Sequence, residues 1–471
     1  MPEPERKPDL CREATIDGNI SAPTRFKGSS HYCLTIRVGI FPRKIIYIFD
    51  MLIRKIGFLS GVAIAVSMVV GSGLFGLPGL AVESTGPVVA LAGWILIILL
   101  MPALIHIFSF LGRKYPSSEG IALYASIGFG SWSKNGILLL TCGTLAVGMP
   151  AFFLVGGSYL ASLFGIDTKI WAIPCGVGLA IATTAVNLAG VEKLGWMNRV
   201  AVALVLCIVG YITITSSTHV TEAFGALSVA DLAQIHVSSV WLSASIAFWA
   251  FQGWENLTFG FDEIENPSRN IPRIYWLSFV FVALIYLVFA ATISASALRG
   301  IDVSGLAGVA SLLPSTKFGR FVILLMVVIL AANANSWVFG ASRAYMSAAR
   351  AGVLPKFLAH VTSKGIPAIS LLVALLVYIV IMFAMKYFKI QTSYAFLMTT
   401  QGFILLYGGA ILAFLKNTRS AGSKIVALVA VASWIFLMQG FGLMIVYPLT
   451  LFVLGSLLSR GAGQAAVDIK D

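Results

Sequence analysis

From Phe58 onward the chain alternates long apolar runs with short polar connections. Most runs are near the length of a membrane helix, about 20 residues. Twelve spans are predicted, at 58–82, 87–111, 132–164, 169–189, 195–216, 238–261, 272–298, 318–346, 366–386, 391–415, 424–440 and 442–459. Residues 1–50 differ: they mix Pro, charge and Ser/Thr without period before a short apolar patch, Ile45-Ile46-Tyr47-Ile48-Phe49. They are expected to be a solvated, disordered cytoplasmic tail or to precede the natural start, since Met51 opens a stretch carrying Arg54 and Lys55 into the first span. Residues 51–460 then form one twelve-helix membrane domain, and residues 461–471 a cytoplasmic C-terminal tail.

Composition agrees. Of 471 residues 58% are hydrophobic and only 11% charged, which excludes a cytosolic enzyme, a secreted disulfide scaffold and a disordered chain. The expected class is an all-α integral membrane protein whose solvent is the lipid bilayer. The net charge of +13 is explained by membrane topology and not by nucleic acid. With twelve spans, eighteen Lys and Arg from Met51 onward fall on the side of the termini, among them Arg113, Lys114, Arg269, Arg273 and Arg350. Six fall opposite: Lys169, Arg299, Lys317, Arg320, Lys386 and Lys389. That asymmetry places both termini in the cytoplasm. Cys11, Cys33, Cys142, Cys175 and Cys207 form no CxxC and read as small packing residues, not a metal or redox set.

Two spans are interrupted. The first contains Gly71-Ser72-Gly73-Leu-Phe-Gly76-Leu-Pro78-Gly79, which is costly in an unbroken helix. The sixth contains Trp249-Ala-Phe251-Gln252-Gly253-Trp254-Glu255-Asn256, a carboxylate and two amides within an apolar run. One and six correspond if spans 1–5 and 6–10 are two repeats, and paired broken helices in corresponding positions point to a transporter site at mid-membrane. Where the first span unwinds, the N–H groups of Ser72 and Gly73 open a helix N-terminus suited to a carboxylate. Free carbonyls at Val69, Trp249 and Gln252 suit an ammonium group. Together they recognise a zwitterion, and an amino acid is the simplest one. Gly143, Gly148, Gly156 and Gly157 in the third span read as close-packing positions.

These residues carry a resemblance to the amino acid–polyamine–organocation (APC) superfamily of permeases. Gly71-Ser72-Gly73-Leu-Phe…Pro78 is similar to its first-span signature, and Pro116-Ser-Ser-Glu119-Gly120…Tyr124…Phe129-Gly130 to its loop between spans 2 and 3. Glu119 stands where the family usually has a glycine. Phe251-Gln-Gly-Trp-Glu255 with Glu263-Ile-Glu-Asn266-Pro267 resembles the sixth span and its following loop, and Ser342-Arg343…Arg350-Ala-Gly352-Val-Leu354-Pro355 the end of the eighth. The resemblance implies an inverted five-plus-five helix repeat with two extra helices, in a bacterial inner membrane. It implies substrate contacts at Val69, Gly71, Ser72, Gly73, Trp249, Gln252 and Gly253, with Trp249 as an aromatic gate and Met149 and Trp337 as pocket residues. Val147-Gly148-Met149-Pro150 looks most like the bacterial efflux branch, which includes methionine and branched-chain exporters. Some proton-coupled members have a lysine in span five, where this chain reads Val200-Ala-Val-Ala-Leu-Val205.

The resulting expectation is a secondary active transporter of neutral, apolar amino acids, an exporter working by alternating access. No cofactor is expected; an ion or substrate gradient, protons first, would drive it. A homo-oligomer is a possible state. Glu255 is the carboxylate placed well inside a span, where its charge is costly, and is the candidate for proton coupling. The alternative substrate class is cationic amino acids or polyamines, by antiport or import, with Glu255 as counter-charge. A membrane enzyme would need clustered His, Asp or Glu near one face, which the sequence lacks. Asn333 and Asn335 sit two apart, so one is expected to reach the pocket beside Trp337 and the other to bond a neighbouring helix. Asp262, Glu263, Glu265, Arg269 and Arg273 read as an ion-pair network, and Trp94 as an interfacial anchor.

Overall fold

The computed structural model describes residues 56–117, 120–189, 194–218, 220, 235–258, 261, 264–362, 366–439 and 441–465, with the strand backbones 15–16, 20–21, 24–25, 31–36 and 45–50. The expected acidic network lies partly outside them, at Asp262 and Glu263.

The described chain from Phe58 is helical. In order the helices are α1 (Phe58–Val69), α2 (Ser72–Thr85), α3 (Pro87–Lys114), α4 (Gly120–Phe129), α5 (Ser133–Phe164), α6 (Thr168–Ala189) and α7 (Leu194–Thr215). Then come α8 (Val237–Ala250), α9 (Trp254–Leu257), α10 (Pro267–Leu298), α11 (Lys317–Arg350), α12 (Ala368–Tyr387), α13 (Thr392–Asn417), α14 (Ala421–Gln439) and α15 (Val446–Ala465). Among the described residues nine helices are long and apolar enough to cross a membrane, with α1 and α2 counted as one. The predicted spans 195–216, 238–261 and 442–459 contain α7, α8 with α9, and α15, whose described apolar stretches are shorter.

Local chemistry sets the boundaries. Pro87 opens α3, where its missing N–H costs nothing. Gly165 closes α5 in the left-handed region, with the Ile166 N–H returning 3.1 Å to the Ala161 carbonyl. One helix was not anticipated: α4 forms in the connection read as a loop, and packs against α13. Its Gly120, Ile121, Tyr124 and Ala125 are buried, so tertiary packing supports a segment with little periodicity.

Within residues 1–50, His31–Ile36 pairs antiparallel with Ile45–Asp50 along six residues. It also pairs with Ile20–Ser21 and Thr24–Arg25. The sequence had suggested no structure there; the β-branched and aromatic patch at Ile45–Phe49 has the propensity of a strand.

The long α5 is the hub of the bundle, in contact with α6, α11, α13 and α15. Small residues permit this. A Cβ at Gly156 would collide with Leu179, and one at Gly157 would lie 2.5 Å from the Gly176 backbone nitrogen. Gly143 likewise faces Leu451 and Tyr447, and Gly148 faces Thr399 and Trp249. In a membrane such glycines let helices approach closely where hydrophobicity offers no preference for protein over lipid.

Candidate functional site

Both predicted interruptions are present. The first falls at Val70 and Gly71, between α1 and α2, where Gly71 leaves helical geometry (φ −157°, ψ −119°). The second falls at Phe251-Gln252-Gly253, between α8 and α9, with Gly253 at φ +119°.

The two breaks interlock reciprocally. A Cβ at Gly73 would lie 2.6 Å from the Ala250 Cα, at the end of α8. A Cβ at Gly253 would lie 2.8 Å from the Met68 carbonyl oxygen, at the end of α1. Each glycine just past one break therefore receives the last turn before the other. Gly253 needs glycine twice, for the close approach and for its positive φ.

Helix ends at a break leave carbonyls and N–H groups without intrahelical partners. Several are met from outside. The Tyr286 hydroxyl lies 2.9 Å from the Val69 carbonyl and 2.9 Å from that of Ala250. Asn333 Nδ2 donates to the Ser67 carbonyl at 2.8 Å. The Trp249 carbonyl accepts the Gln252 N–H at 3.0 Å. Among the described residues the buried Gln252 Nε2 has no hydrogen-bond partner. On the other side of the first break, Ser72 and Gly73 open α2, whose Leu74 N–H turns back to the Gly71 carbonyl at 3.1 Å.

Between the breaks lies a narrow cavity, lined by Met68, Val69, Ser72, Gly73, Leu145, Gly148, Met149, Phe152, Trp249, Gln252, Asn333, Trp337, Thr399 and Phe403. Its lining is mainly apolar and aromatic, with no charged side chain among the described residues. Trp249 stands edge-on to Phe396, ring centroids 4.7 Å apart, and Trp337 to Phe403 at 6.2 Å.

Seven of the nine predicted contact residues thus meet at one cavity: Val69, Ser72, Gly73, Met149, Trp249, Gln252 and Trp337. Gly71 and Gly253 do not line it. Gly71 backs onto the Asn333 side chain and Gly253 onto α1, so their part is to let other groups approach. Leu145, Phe152, Thr399 and Phe403 were not singled out from sequence, because nothing in an apolar run says which face of a helix looks inward. Asn333 reaches the cavity, whereas the Asn335 carbonyl oxygen of the side chain accepts from Asn187 Nδ2 at 2.7 Å.

One expectation needs revision. Trp94 is no interfacial anchor: it is 1% exposed and its ring lies 5.2 Å from that of Tyr286. Glu255 is buried but does not line the cavity. Both its carboxylate oxygens lie 3.1 Å from the Gly253 N–H, and the Tyr407 hydroxyl donates to Oε2. The carboxylate so closes the second break from the side of α9.

The amino acid permease family model matches residues 56–458. Among curated proteins, an uncharacterized transporter of Mycobacterium bovis is 25% identical over 351 residues, 68% of this chain and 71% of that one. The L-methionine/branched-chain amino acid exporter YjeH of Escherichia coli is 26% identical over 241 residues, 50% of this chain and 54% of that one. The uncharacterized amino acid permease YecA of Bacillus subtilis is 24% identical over 331 residues, 68% and 75% of the two chains. Among solved structures, MhsT in complex with L-phenylalanine superposes with a TM-score of 0.54 at 16% identity, covering 84% of this chain and 98% of that one. The likeness to MhsT is one of fold.

Proposed function

This chain belongs to the amino acid permease family of the APC superfamily, and from that premise we propose that it is a secondary active transporter of neutral, apolar amino acids that works as an exporter by alternating access. The observation that carries the proposal is the cavity where the two helix breaks meet. One wall is the N-terminus of α2, suited to a carboxylate. The last carbonyls of α1 and α8 stand near it, and carbonyl oxygens have a second lone pair for an ammonium group. The remaining walls, with Leu145, Met149, Phe152, Trp337 and Phe403, suit an apolar side chain.

The relatives support parts of this reading. The E. coli exporter named for methionine and branched-chain amino acids favours both the substrate class and the direction. A cationic substrate would need a counter-charge, and Glu255 is turned towards Gly253 and Tyr407 instead. Twelve spans in an inverted five-plus-five arrangement, with both termini in the cytoplasm of a bacterial cell, fit the charge asymmetry and the reciprocal packing of Gly73 and Gly253. Protons are the proposed coupling ion, with Glu255 as carrier.

Flux into and out of proteoliposomes, with a panel of labelled amino acids under imposed pH or sodium gradients, tests the proposal. Transport of leucine and methionine that responds to a pH gradient is expected. Transport of lysine or putrescine in their place would overturn the substrate class. Residues 1–50 are proposed to be dispensable: a chain beginning at Met51 should keep its expression, orientation and flux, and inversion or loss of transport would show that the segment is needed.

A further inference from the structure

Behind the substrate cavity lies a second, smaller one, walled by Val66, Val70, Val202, Val205 and Ile329 from α1, the first break, α7 and α11. Asn333 lines both cavities, so its side chain stands in the partition between them. It is 6% exposed. Its Nδ2 donates to the Ser67 carbonyl at 2.8 Å. In a continuous helix that carbonyl would accept the N–H of residue 71, four positions on. The chain turns away there, so Asn333 replaces the donor that the break removes. Gly71 makes room for it, since a Cβ at 71 would collide with the Asn333 amide.

We infer that Asn333 is a positioning residue for substrate binding: its amide clasps the end of α1 to α11 and so holds the Ser72 and Gly73 N–H groups at the wall of the cavity. The clasp is neutral. Among the described residues, neither cavity is lined by an acid, a base or a thiol. Glu255, across the second break, faces the Gly253 amide and Tyr407. An amide cannot titrate, so this tie persists at every working pH. That differs from a tie made by a charged group, which a proton or a metal ion could loosen. The inference rests on the proposed function, because it assigns Asn333 a part in holding the amino-acid site.

The test exploits the neutrality. Asn333→Asp keeps the shape, but an ionised carboxylate has only acceptors to offer the Ser67 carbonyl, whereas a protonated one donates its O–H. Asn333→Leu removes the donor altogether. Binding of L-leucine to the purified full-length chain, followed by titration calorimetry from about pH 5 to about pH 9, the range into which burial moves a carboxyl's titration, should separate them. Relative to wild type, Asn333→Asp should bind nearly as well at the acidic end and lose roughly tenfold as pH rises, the loss expected when a buried carbonyl is left without its donor. Asn333→Leu should be weaker by a similar factor throughout. A pH-independent ratio for Asn333→Asp, or wild-type affinity in Asn333→Leu, would overturn the positioning role. If neither variant folds, Gly71→Ala decides: it displaces the amide and should weaken binding, and unchanged affinity would overturn the inference. A wild-type chain that binds no L-leucine would instead sink the substrate reading on which the inference stands.

Discussion

The hydroxyl of Tyr286 lies 2.9 Å from the carbonyl oxygen of Val69, one of the groups expected to meet a substrate ammonium. It also reaches the Ala250 carbonyl at the other break, so a single proton is shared between two acceptors. Tyr286 thus ties together the ends of α1 and α8 from α10. Tyr286→Phe should leave both carbonyls short of a donor, at a cost of about 1–3 kcal/mol. A lowered melting temperature in the empty protein checks this. Saturating leucine should recover part of the loss, because its ammonium supplies a donor at the same place; a gap that ligand leaves unchanged would separate Tyr286 from the substrate site.

Gly73 is constrained by backbone and not only by ligand. Gly73→Ala would set a methyl group 2.6 Å from the Ala250 Cα and force the breaks apart, so flux should be abolished while the protein still reaches the membrane. Gly178→Ala is the control, because among the described residues a Cβ there would meet no neighbouring element within 4 Å. It should keep full flux and gain up to about 1 kcal/mol of helix stability. Equal flux in the two variants would contradict the interlocked geometry.

Trp249 lines the cavity and leans on Phe396, whereas Trp171 is 46% exposed. Trp249→Leu should therefore raise the apparent KM for leucine and slow flux, while Trp171→Leu changes neither by more than about twofold, as usual for surface positions. Equal effects would reduce Trp249 to packing. Trp94 would be a poor control, since it is buried beside Tyr286.

Glu255 tests the coupling proposal. Glu255→Gln mimics the neutral carboxyl and keeps an acceptor for the Gly253 N–H and Tyr407. Leucine binding should survive, while the pH dependence of flux flattens. A variant that keeps the wild-type pH profile would assign Glu255 to holding α9 in place. Tyr407→Phe removes the hydroxyl that meets the carboxylate and should shift the pH profile without removing it.

The apolar periodicity alone determined that this chain is a helical membrane protein, because a 58% hydrophobic chain in runs near span length has few other ways to satisfy its backbone. The positions of both breaks were equally legible, since Gly71 and Gly253 lie in stretches that no continuous helix tolerates well. Seven cavity residues followed from those breaks and the family resemblance. Tertiary structure decided the rest. Leu145, Phe152 and Phe403 look like any apolar residue until α5 and α13 are rotated into place around the breaks. Trp94 sits near a span start, yet packing against α10 buries it. Asn333 and Tyr286 reach carbonyls more than two hundred residues away along the chain, a pairing that local pattern does not encode. A broken helix announces that backbone groups need partners; only the packed bundle decides which side chains supply them.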